Sequence, residues 1–459
     1  MYATFTCWMV YLHEKDSMPT VILKPGHPRS EVEGSSSSAQ QKLGWTLLLP
    51  LLFFVVHGVF SFFSTGTAVG GFSPGSVTTR DPGVLGYAFA GVAYLIVVWL
   101  ITSQLKTVFS FAMHFKMLTL LAILTIASAF WSQNPGRSFL YGSLYFVDTL
   151  FAYYLVIRLE PEEIMAIVSR LGVIVSVLGL LVVIFLPQFG MSHDARNGVA
   201  WEGIFSDRTS AGKALVYLLS PALISRSSRK PSSWLPPVLL VALMVVMARS
   251  VSAIFVLSIY VAFLFLLHRS RKLDSRLLFV GTVAGIFAIV FVTLFWLEYG
   301  ADVLRLFGRD PTLTGRTLIW KVLAHSILKR PLLGYGFYAF WQGIKGESAN
   351  VIYLTHWSFG YAHNGIIEIF LQLGSVGVVI FFVTLFKAIR DALFCFRNDS
   401  SGTYDWYMGL LVITIFYNLD EATVVWPNDL LSILYVVACC GLAVGVKRLQ
   451  QKKLVVMYA

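Results

Sequence analysis

Apolar runs of membrane-spanning length recur along most of the chain, and they constrain its fold more than any other feature. A helix needs roughly 20 mostly apolar residues to cross the hydrocarbon core of a bilayer, and the chain divides into about twelve runs that meet this rule. Of the 459 residues, 57% are hydrophobic and 13% are charged, and the mean hydropathy is +0.73. This composition excludes an ordinary soluble protein and predicts an all-α polytopic membrane protein.

The apolar runs also predict how the chain is organised. The predicted spans are residues 45–64, 84–104, 115–131, 138–157, 163–186, 209–225, 233–248, 250–267, 277–297, 364–386, 406–419 and 429–446. They give five segments: a disordered tail (1–43), transmembrane helices 1 to 9 (44–298), one large loop (299–362), transmembrane helices 10 to 12 (363–446) and a second tail (447–459). The first tail is polar and contains a serine run, so it cannot fold alone. Whether residues 1–17 belong to the native start stays open.

Basic residues in the short connections predict the orientation of the spans. Lys and Arg cluster in alternate connections, so the inside-positive rule places both termini in the cytoplasm and loop 299–362 on the outer face. The apolar stretch 234–267 would run roughly 50 Å as one helix, which is too long for an ordinary crossing. We therefore predict two helices with Arg249 at the turn between them, where an unpaired charge is costly and usually has a partner or ligand.

The formal net charge of +11 and the four cysteines exclude some functions. The basic residues are dispersed between apolar runs, which favours contact with anionic membrane lipids and argues against a nucleic-acid partner. The cysteines have no metal-ligand spacing. We expect no structural disulfide, no metal and no other cofactor.

An amphipathic helix is predicted inside the large loop. In the stretch "GRTLIWKVLAHSILKRPLLGYG", apolar residues follow helical spacing until Pro331 ends the pattern. These residues are Leu318, Ile319, Val322, Leu323 and Ile327. Such a helix would lie against the membrane and cover a cavity, and ordered loops of this length tend to be functional.

Five stretches together resemble one family. They are "WEGIFSDRTSAGKAL" (201–215), "MARSVSAIFVL" (247–257), "GRTLIWKVLAHSILKRPLLGYGFYAFW" (315–341), "AHNGIIEIFLQLGSVGV" (362–378) and "NLDEATVVWPND" (418–429). In order and placement they resemble the O-antigen ligase and Wzy-type polysaccharide polymerase superfamily, and most of all exopolysaccharide polymerases of the succinoglycan type. One departure is Thr209, where the family pattern usually has asparagine.

The resemblance implies a fold and an activity. It implies a GT-C-like membrane protein of the bacterial inner membrane that carries out metal-independent, inverting glycosyl transfer at the periplasmic face. The substrate would be an oligosaccharide repeat carried on undecaprenyl diphosphate, so a polyprenyl-diphosphate-linked oligosaccharide is the expected partner. Flippase and chain-length regulator proteins are open candidates for further partners.

Outer-face arginines are the candidates for binding a diphosphate. A guanidinium is always charged and presents a planar fork of donors that matches phosphate oxygens. The candidates are Arg249, Arg316, Arg208 and Arg196, with Arg305, Arg309 and Arg137 behind them. For Arg249 and Arg316 the alternative is a cation that contacts lipid headgroups or solvent, and for Arg196 and Arg208 it is a purely topological role.

His363 is the candidate catalytic base. It lies where the large loop enters the tenth predicted helix, and an imidazole titrates near neutral pH. The alternative is a capping role for His363 or Asn364 at the start of that helix. Asn364, Glu368 and Glu421 are candidate supporting residues; Glu368 would be costly inside a helix unless paired, and an arginine is its expected partner. Glu421 would orient the histidine or an arginine, or lie in a solvated turn.

Three readings compete with a polymerase. An O-antigen ligase would transfer the glycan to a lipid A core and share the same motifs. A secondary transporter predicts internal repeats and charged or broken helices near the bilayer midplane. A non-catalytic scaffold predicts that His363 and Arg249 can be replaced without effect on polymer production.

Overall fold

The structure is a computed structural model that describes residues 33–56, 83–194, 198–224, 231–270, 316–356 and 360–458. Its helices are α1 (Glu33–Val56), α2 (Gly83–Ser103), α3 (Leu105–His114), α4 (Lys116–Ala127), α5 (Pro135–Arg158), α6 (Pro161–Phe185), α7 (Arg208–Ile224), α8 (Pro231–Met247), α9 (Val251–Ser270), α10 (Arg316–Lys329), α11 (Ser348–Thr355), α12 (Gly365–Asn398), α13 (Asp405–Tyr417) and α14 (Leu430–Tyr458). Two short strands, β1 (Met191–Asp194) and β2 (Gly198–Trp201), pair antiparallel.

Several of these helices are long and apolar enough to cross a membrane. Within the described residues there are six such helices, namely α2, α5, α6, α9, α12 and α14. The pair α3 and α4, bent by 102°, adds a seventh if it counts as one span. The predicted all-α polytopic class is confirmed. The count of about twelve crossings stays a prediction, and the ninth predicted run, 277–297, lies outside the described residues.

Two local predictions are confirmed. The apolar stretch 234–267 is indeed two helices, because α8 ends at Met247 and α9 begins at Val251. The predicted amphipathic helix is α10, and two residues of its apolar pattern, Ile319 and Leu323, are fully buried. The sequence pattern therefore located both the break at Arg249 and the helix that follows residue 315.

The helix limits differ from prediction at both ends of the chain. Helix α1 begins at Glu33, inside the predicted disordered tail, and α14 continues to Tyr458 through the predicted second tail. The ion pair between Arg448 and Glu160 holds part of this extension against the start of α6. Helix α3 fills a connection where no helix was predicted, and it buries Val108, Phe111 and Ala112 on one face.

Helix α14 lies at the centre of the described bundle. In its first half, Leu434, Tyr435, Val436, Val437 and Ala438 are all almost completely buried, and the helix packs against α5, α12 and α13. A helix that is apolar all round is suited to such a central position. The loop that enters α14, residues 418–429, is held against α5 at Asp148 and against the start of α12 at Gly365.

Helix α12 is interrupted at Gly374, where φ is +65° and the backbone is not helical. The connecting segment between α10 and α11 (residues 330–347) packs into this break. Four backbone hydrogen bonds join the two, from Tyr335 N to Leu371 O, Gly336 N to Gln372 O, Ser375 N to Pro331 O and Val376 N to Leu332 O. The segment thus forms hydrogen bonds with peptide groups of α12 that have no partner within the helix because of the break.

The connecting segment is held on its other side by the turn before α5. Phe337 N donates to Ser128 Oγ (2.8 Å), and Ser138 Oγ donates to Phe337 O (2.8 Å). Gln133 Nε2 donates to Ala339 O (2.7 Å). The segment is therefore fixed between α5 and α12, and its residues 338–345 form part of a cavity wall.

Candidate functional site

A polar cavity of about 660 Å³ lies between the starts of α5, α7 and α12, the connecting segment and loop 418–429. Its wall contains three cationic and three acidic side chains: Arg137, Lys213, Lys345, Asp207, Glu368 and Asp429. Aromatic rings line it as well: Tyr338, Trp341, Tyr361 and Trp426. Its size and its mixture of aromatic and polar groups are typical of a site for an organic ligand.

A buried carboxylate joins three side chains at the edge of this cavity. Glu421 is 1% exposed and accepts a hydrogen bond from the Tyr361 hydroxyl (2.7 Å). Its Oε2 lies 3.5 Å from Lys213 Nζ, and its Oε1 lies 3.6 Å from His363 Nδ1. Glu421 was predicted either to orient the histidine or an arginine or to lie in a solvated turn. In the structure it is buried and contacts the histidine.

The surroundings of Glu421 keep it ionised. Burial by itself raises the pKa of this carboxyl group, but the ammonium group of Lys213, and then His363 and Tyr361, lower the pKa to about 2. At neutral pH the group is a carboxylate that accepts hydrogen bonds. It therefore favours the imidazole tautomer, or the imidazolium, with a proton on Nδ1 of His363.

The backbone fixes His363 directly before α12. His363 has a positive φ of +50°, which is uncommon for a residue other than glycine. The next residue, Asn364, is the predicted cap: its Oδ1 accepts from Ile366 N and Ile367 N, both at 3.0 Å. Strained backbone of this kind persists only where neighbouring structure determines it, and it is often found at functional positions.

Glu368 has partners that differ from the prediction. Trp341 Nε1 (3.1 Å), Gln372 Nε2 (2.6 Å) and Ala362 N (2.7 Å) donate to its carboxylate. All of these donors are neutral, and within the described part of the chain no arginine forms an ion pair with Glu368. An arginine partner for Glu368 stays a prediction, and within the described residues the connecting segment, the turn before α12 and α12 itself supply the donors of this buried carboxylate.

The predicted arginines lie in several places. Arg249 is in the break between α8 and α9 with φ +48°, and its Nη1 is 2.8 Å from where a Cβ on Gly198 of β2 would lie. Arg208 is the first residue of α7. Neither is among the described residues that line the cavity. Arg316 begins α10, but its side chain and all of Arg196 lie outside the described part of the structure.

Helix α7 connects the Arg249 region with the His363 region. A Cβ on Gly212 would lie 2.9 Å from Ser250 Cβ, so α7 packs closely against the residue that follows Arg249. The next residue, Lys213, pairs with Glu421, which contacts His363. The stretches 201–215, 247–257, 362–378 and 418–429, far apart in sequence, are thus brought together.

A buried acidic residue next to loop 418–429 was not identified from the sequence. Asp148 of α5 accepts from the Tyr94 hydroxyl (2.8 Å) and from Asn428 N (2.8 Å), and so it fixes the end of the loop next to Asp429. The signal was an aspartate in the middle of the apolar run 138–157, since ionisable groups inside membrane helices are rare and usually have a role. Trp426 was also missed, although it lies in the stretch "NLDEATVVWPND".

Within the described residues, no group of three or more His, Cys, Asp or Glu side chains is arranged to hold a metal ion. Lys213 is instead joined to Glu421 in an ion pair, and Glu368 accepts hydrogen bonds from neutral donors. What the arrangement offers chemically is an imidazole beside a carboxylate, next to a polar and aromatic cavity, in a multi-pass α-helical membrane protein.

Comparison with known proteins shows a family that part of the chain resembles. Residues 236–382 match the sequence model of the O-antigen ligase family. The match includes Arg249, Arg316, His363, Asn364 and Glu368, whereas Arg196, Arg208 and Glu421 lie outside it. The resemblance to the O-antigen ligase and Wzy-type superfamily is confirmed.

Individual relatives agree with this family. The chain is 27% identical over 161 residues to the exopolysaccharide production protein ExoQ of Rhizobium meliloti (strain 1021), which covers 33% of this chain and 37% of ExoQ. It is 25% identical over 187 residues to the putative polysaccharide ligase RP358 of Rickettsia prowazekii (strain Madrid E), covering 35% of this chain and 46% of that protein. The chain thus matches less than half the length of either relative.

Proposed function

We propose that the protein is a membrane glycosyltransferase that polymerises undecaprenyl-diphosphate-linked oligosaccharide repeats into exopolysaccharide at the periplasmic face of a bacterial inner membrane. The observation that carries the proposal is the Glu421–His363 contact beside a polar cavity, on a chain whose residues 236–382 match the O-antigen ligase family. The name of the relative ExoQ, an exopolysaccharide production protein, supports the polymer as the product.

His363 acts as the general base in this proposal. Glu421 favours the imidazole tautomer with its proton on Nδ1, so Nε2 carries no proton and accepts that of a sugar hydroxyl. The hydroxyl oxygen attacks the anomeric carbon of the donor sugar from the face opposite the diphosphate, and the bond between that carbon and the diphosphate oxygen breaks. The product has the inverted configuration, and the lipid diphosphate leaves with the electron pair.

Arginines stabilise the leaving diphosphate. Arg249 is the first candidate because its position beside α7 relates it, through Lys213 and Glu421, to His363. Arg208, Arg316 and Arg196 are the further candidates. Guanidinium groups are well suited to the negative charge that develops on diphosphate oxygens, and the family resemblance implies that no metal ion is required.

The ligase reaction is the second candidate, because RP358 is named a putative polysaccharide ligase and the matched family is O-antigen ligase. The test supplies purified protein with lipid-linked repeats alone. We expect a ladder of lengthening products. If no elongation occurs and transfer requires an added lipid A core, the protein is a ligase and not a polymerase. No transfer in either case would overturn both.

Variants test the assigned roles in the same assay. His363→Ala is expected to lower the rate at least about 100-fold, since general-base catalysis contributes roughly 10²–10⁴ in rate. Arg249→Ala is expected to lower it because the departing diphosphate loses a cation. His268→Ala, an exposed histidine in the last turn of α9, is the matched control and should keep the wild-type rate. Unchanged polymer formation by His363→Ala would favour a non-catalytic role.

A further inference from the structure

Three aromatic rings form a connected row on the cavity wall, and the row begins at His363. The ring of Tyr361 is 4.1 Å from the His363 ring, centroid to centroid. Trp426 is 6.2 Å from Tyr361, and Tyr338 is 5.1 Å from Trp426. All three aromatic residues line the cavity. The row therefore leads from the proposed base into the cavity.

The orientation of the three rings and the polar groups of two of them indicate which kind of molecule fits the cavity. Trp426 stands at 67° to Tyr338 and 73° to Tyr361, so the three rings enclose a corner instead of forming one flat wall. Within the described part of the chain, neither the Tyr338 hydroxyl nor the Trp426 indole N–H makes a hydrogen bond. Both residues are half-buried and line the cavity, so these two groups are accessible to a ligand. The corner thus suits a ligand that has both apolar faces and hydrogen-bonding groups.

The row is held rigidly. The Arg137 guanidinium lies 5.2 Å from the ring centre of Tyr338 and 5.6 Å from that of Tyr141. Arg137 also donates to Trp341 O (3.3 Å), while Tyr338 N donates to Gln372 Oε1 (3.0 Å). A surface fixed before binding loses little conformational entropy when a ligand arrives. Arg137 is a positioning residue here, acting through Tyr338.

A sugar has the chemistry that this corner would recognise. One face of a pyranose ring presents C–H groups that pack on aromatic rings, and its edge carries hydroxyl groups. The same wall contains Asp429, Gln342 and Lys345, whose side chains can exchange hydrogen bonds with hydroxyls. Few precisely placed polar groups on a mainly aromatic surface are typical of specific ligand sites.

We propose that Tyr361, Trp426 and Tyr338 bind the acceptor oligosaccharide, with the attacking sugar at Tyr361 and the next sugars at Trp426 and Tyr338. This inference rests on the proposed function, which it extends by assigning the two substrates to two sides of His363. Arg249 lies on the α7 side, beyond Lys213 and Glu421, and serves the donor diphosphate. The aromatic row lies on the α5 side and serves sugar rings that carry no diphosphate.

Binding of a lipid-free oligosaccharide tests the row. The probe is the repeat oligosaccharide released by mild acid from the polyprenyl diphosphate carrier of the source strain, titrated calorimetrically into the full chain in detergent. Wild type is expected to bind it. Trp426→Ala and Tyr338→Ala are expected to weaken binding at least about tenfold, as loss of an aromatic anchor typically does. Trp99→Ala removes an exposed ring on α2 and is the matched control, expected to bind as wild type does.

Conservative variants keep the test decisive if an alanine variant does not fold. Trp426→Phe and Tyr338→Phe retain a ring but lose the N–H or O–H group, and loss of one hydrogen bond is expected to weaken binding about fivefold. Phenylalanine variants that bind as tightly as wild type would overturn the proposal, as would a wild-type protein that does not bind the probe.

The two proposals fail in different ways. His363→Ala should keep oligosaccharide binding while it loses chain extension, and Trp426→Ala should raise the KM for lipid-linked repeats more than it lowers kcat. If wild type shows no extension but the probe binds through the row, only the proposed reaction is wrong. If extension proceeds with unchanged KM in both alanine variants, only the acceptor site is wrong.

Discussion

A single buried carboxylate organises the charged side chains beside the cavity. Glu421 contacts Lys213 of α7 and both Tyr361 and His363 of the turn before α12, and none of the three contacts could form without the loop that α14 holds in place. Removing a charge from such a cluster leaves its partners buried and unpaired, which is usually more costly than the pair itself is favourable. Position 421 should therefore affect both stability and catalysis.

The pH dependence of stability tests this cluster. The folded-state pKa of Glu421 is about 2 against an ordinary value of 4.5, so its stabilising contribution is complete above pH 4.5 and is lost as the pH falls towards 2. We expect the unfolding temperature of wild type in detergent to fall more steeply over this window than that of Glu421→Gln. The variant should already unfold at a lower temperature at pH 7. Parallel curves for the two proteins would contradict the role of the carboxylate.

Single residues show what sequence alone could and could not reveal about the site. His363 was identifiable because a titratable group stood at the entrance to a predicted span, and Arg249 because it interrupted an apolar stretch. The partners were not identifiable: Glu421 is remote from His363 in sequence, and the donors to Glu368 come from a distant indole and a backbone amide. Contacts of that kind are set by tertiary packing, which no local pattern encodes.

At the scale of elements, the break in α12 joins the connecting segment to the helix that carries Glu368. At Gly374, φ of +65° and ψ of −164° define a region that is essentially restricted to glycine. A Cβ there would lie 2.2 Å from Leu332 O, which is closer than any real contact. Both the conformation and the space therefore require glycine at this position.

Gly374→Ala tests the importance of the break. The substitution is expected to cost about 3 kcal/mol or more of stability, because the strained conformation and the contact with a backbone oxygen both oppose it. Thermal unfolding in detergent measures this cost. Gly91→Ala on α2 is the control, since nothing lies within 4 Å of a Cβ there and alanine favours a helix. Equal unfolding temperatures for the two variants would contradict the account.

The apolar pattern predicted the positions of helices better than it predicted the breaks within them. The break at Arg249 was predicted because a charge and an excessive length coincide there. The break at Gly374 was not, because a glycine in an apolar run is common in membrane helices and carries no signal of its own. What determines the break at Gly374 is the backbone of Leu332, which only the fold brings near.

At the scale of the whole molecule, the proposal needs the cavity and the two termini on opposite sides of the membrane. The connecting segment and loop 418–429 lie near the cavity at the end where α14 begins, while the ion pair of Arg448 with Glu160 lies in the second half of α14. The inside-positive pattern predicts that this second end is cytoplasmic.

Cysteine labelling in intact cells tests the orientation. Ile344→Cys places a thiol at a residue that is 84% exposed in the connecting segment, and a membrane-impermeant maleimide that reaches the periplasm is expected to label it. Lys452→Cys, at an exposed position near the end of α14, is expected to react only after the membrane is permeabilised. Both substitutions are made in Cys7→Ser protein, which also gives the background, because Cys7 lies outside the described residues whereas Cys395, Cys439 and Cys440 are buried. The reverse pattern would contradict the proposed topology.

The insertion of residues 330–336 into the opened turn of α12 has a consequence for how long molecules move through the protein. Four peptide hydrogen bonds would have to break for these residues to leave α12, and a buried peptide group without a partner is costly. We therefore expect residues 330–336 to stay bound to α12 from one round of synthesis to the next. In the proposed polymerase, the growing glycan would then leave the cavity past a segment that does not move. No part of this segment would need to open between additions.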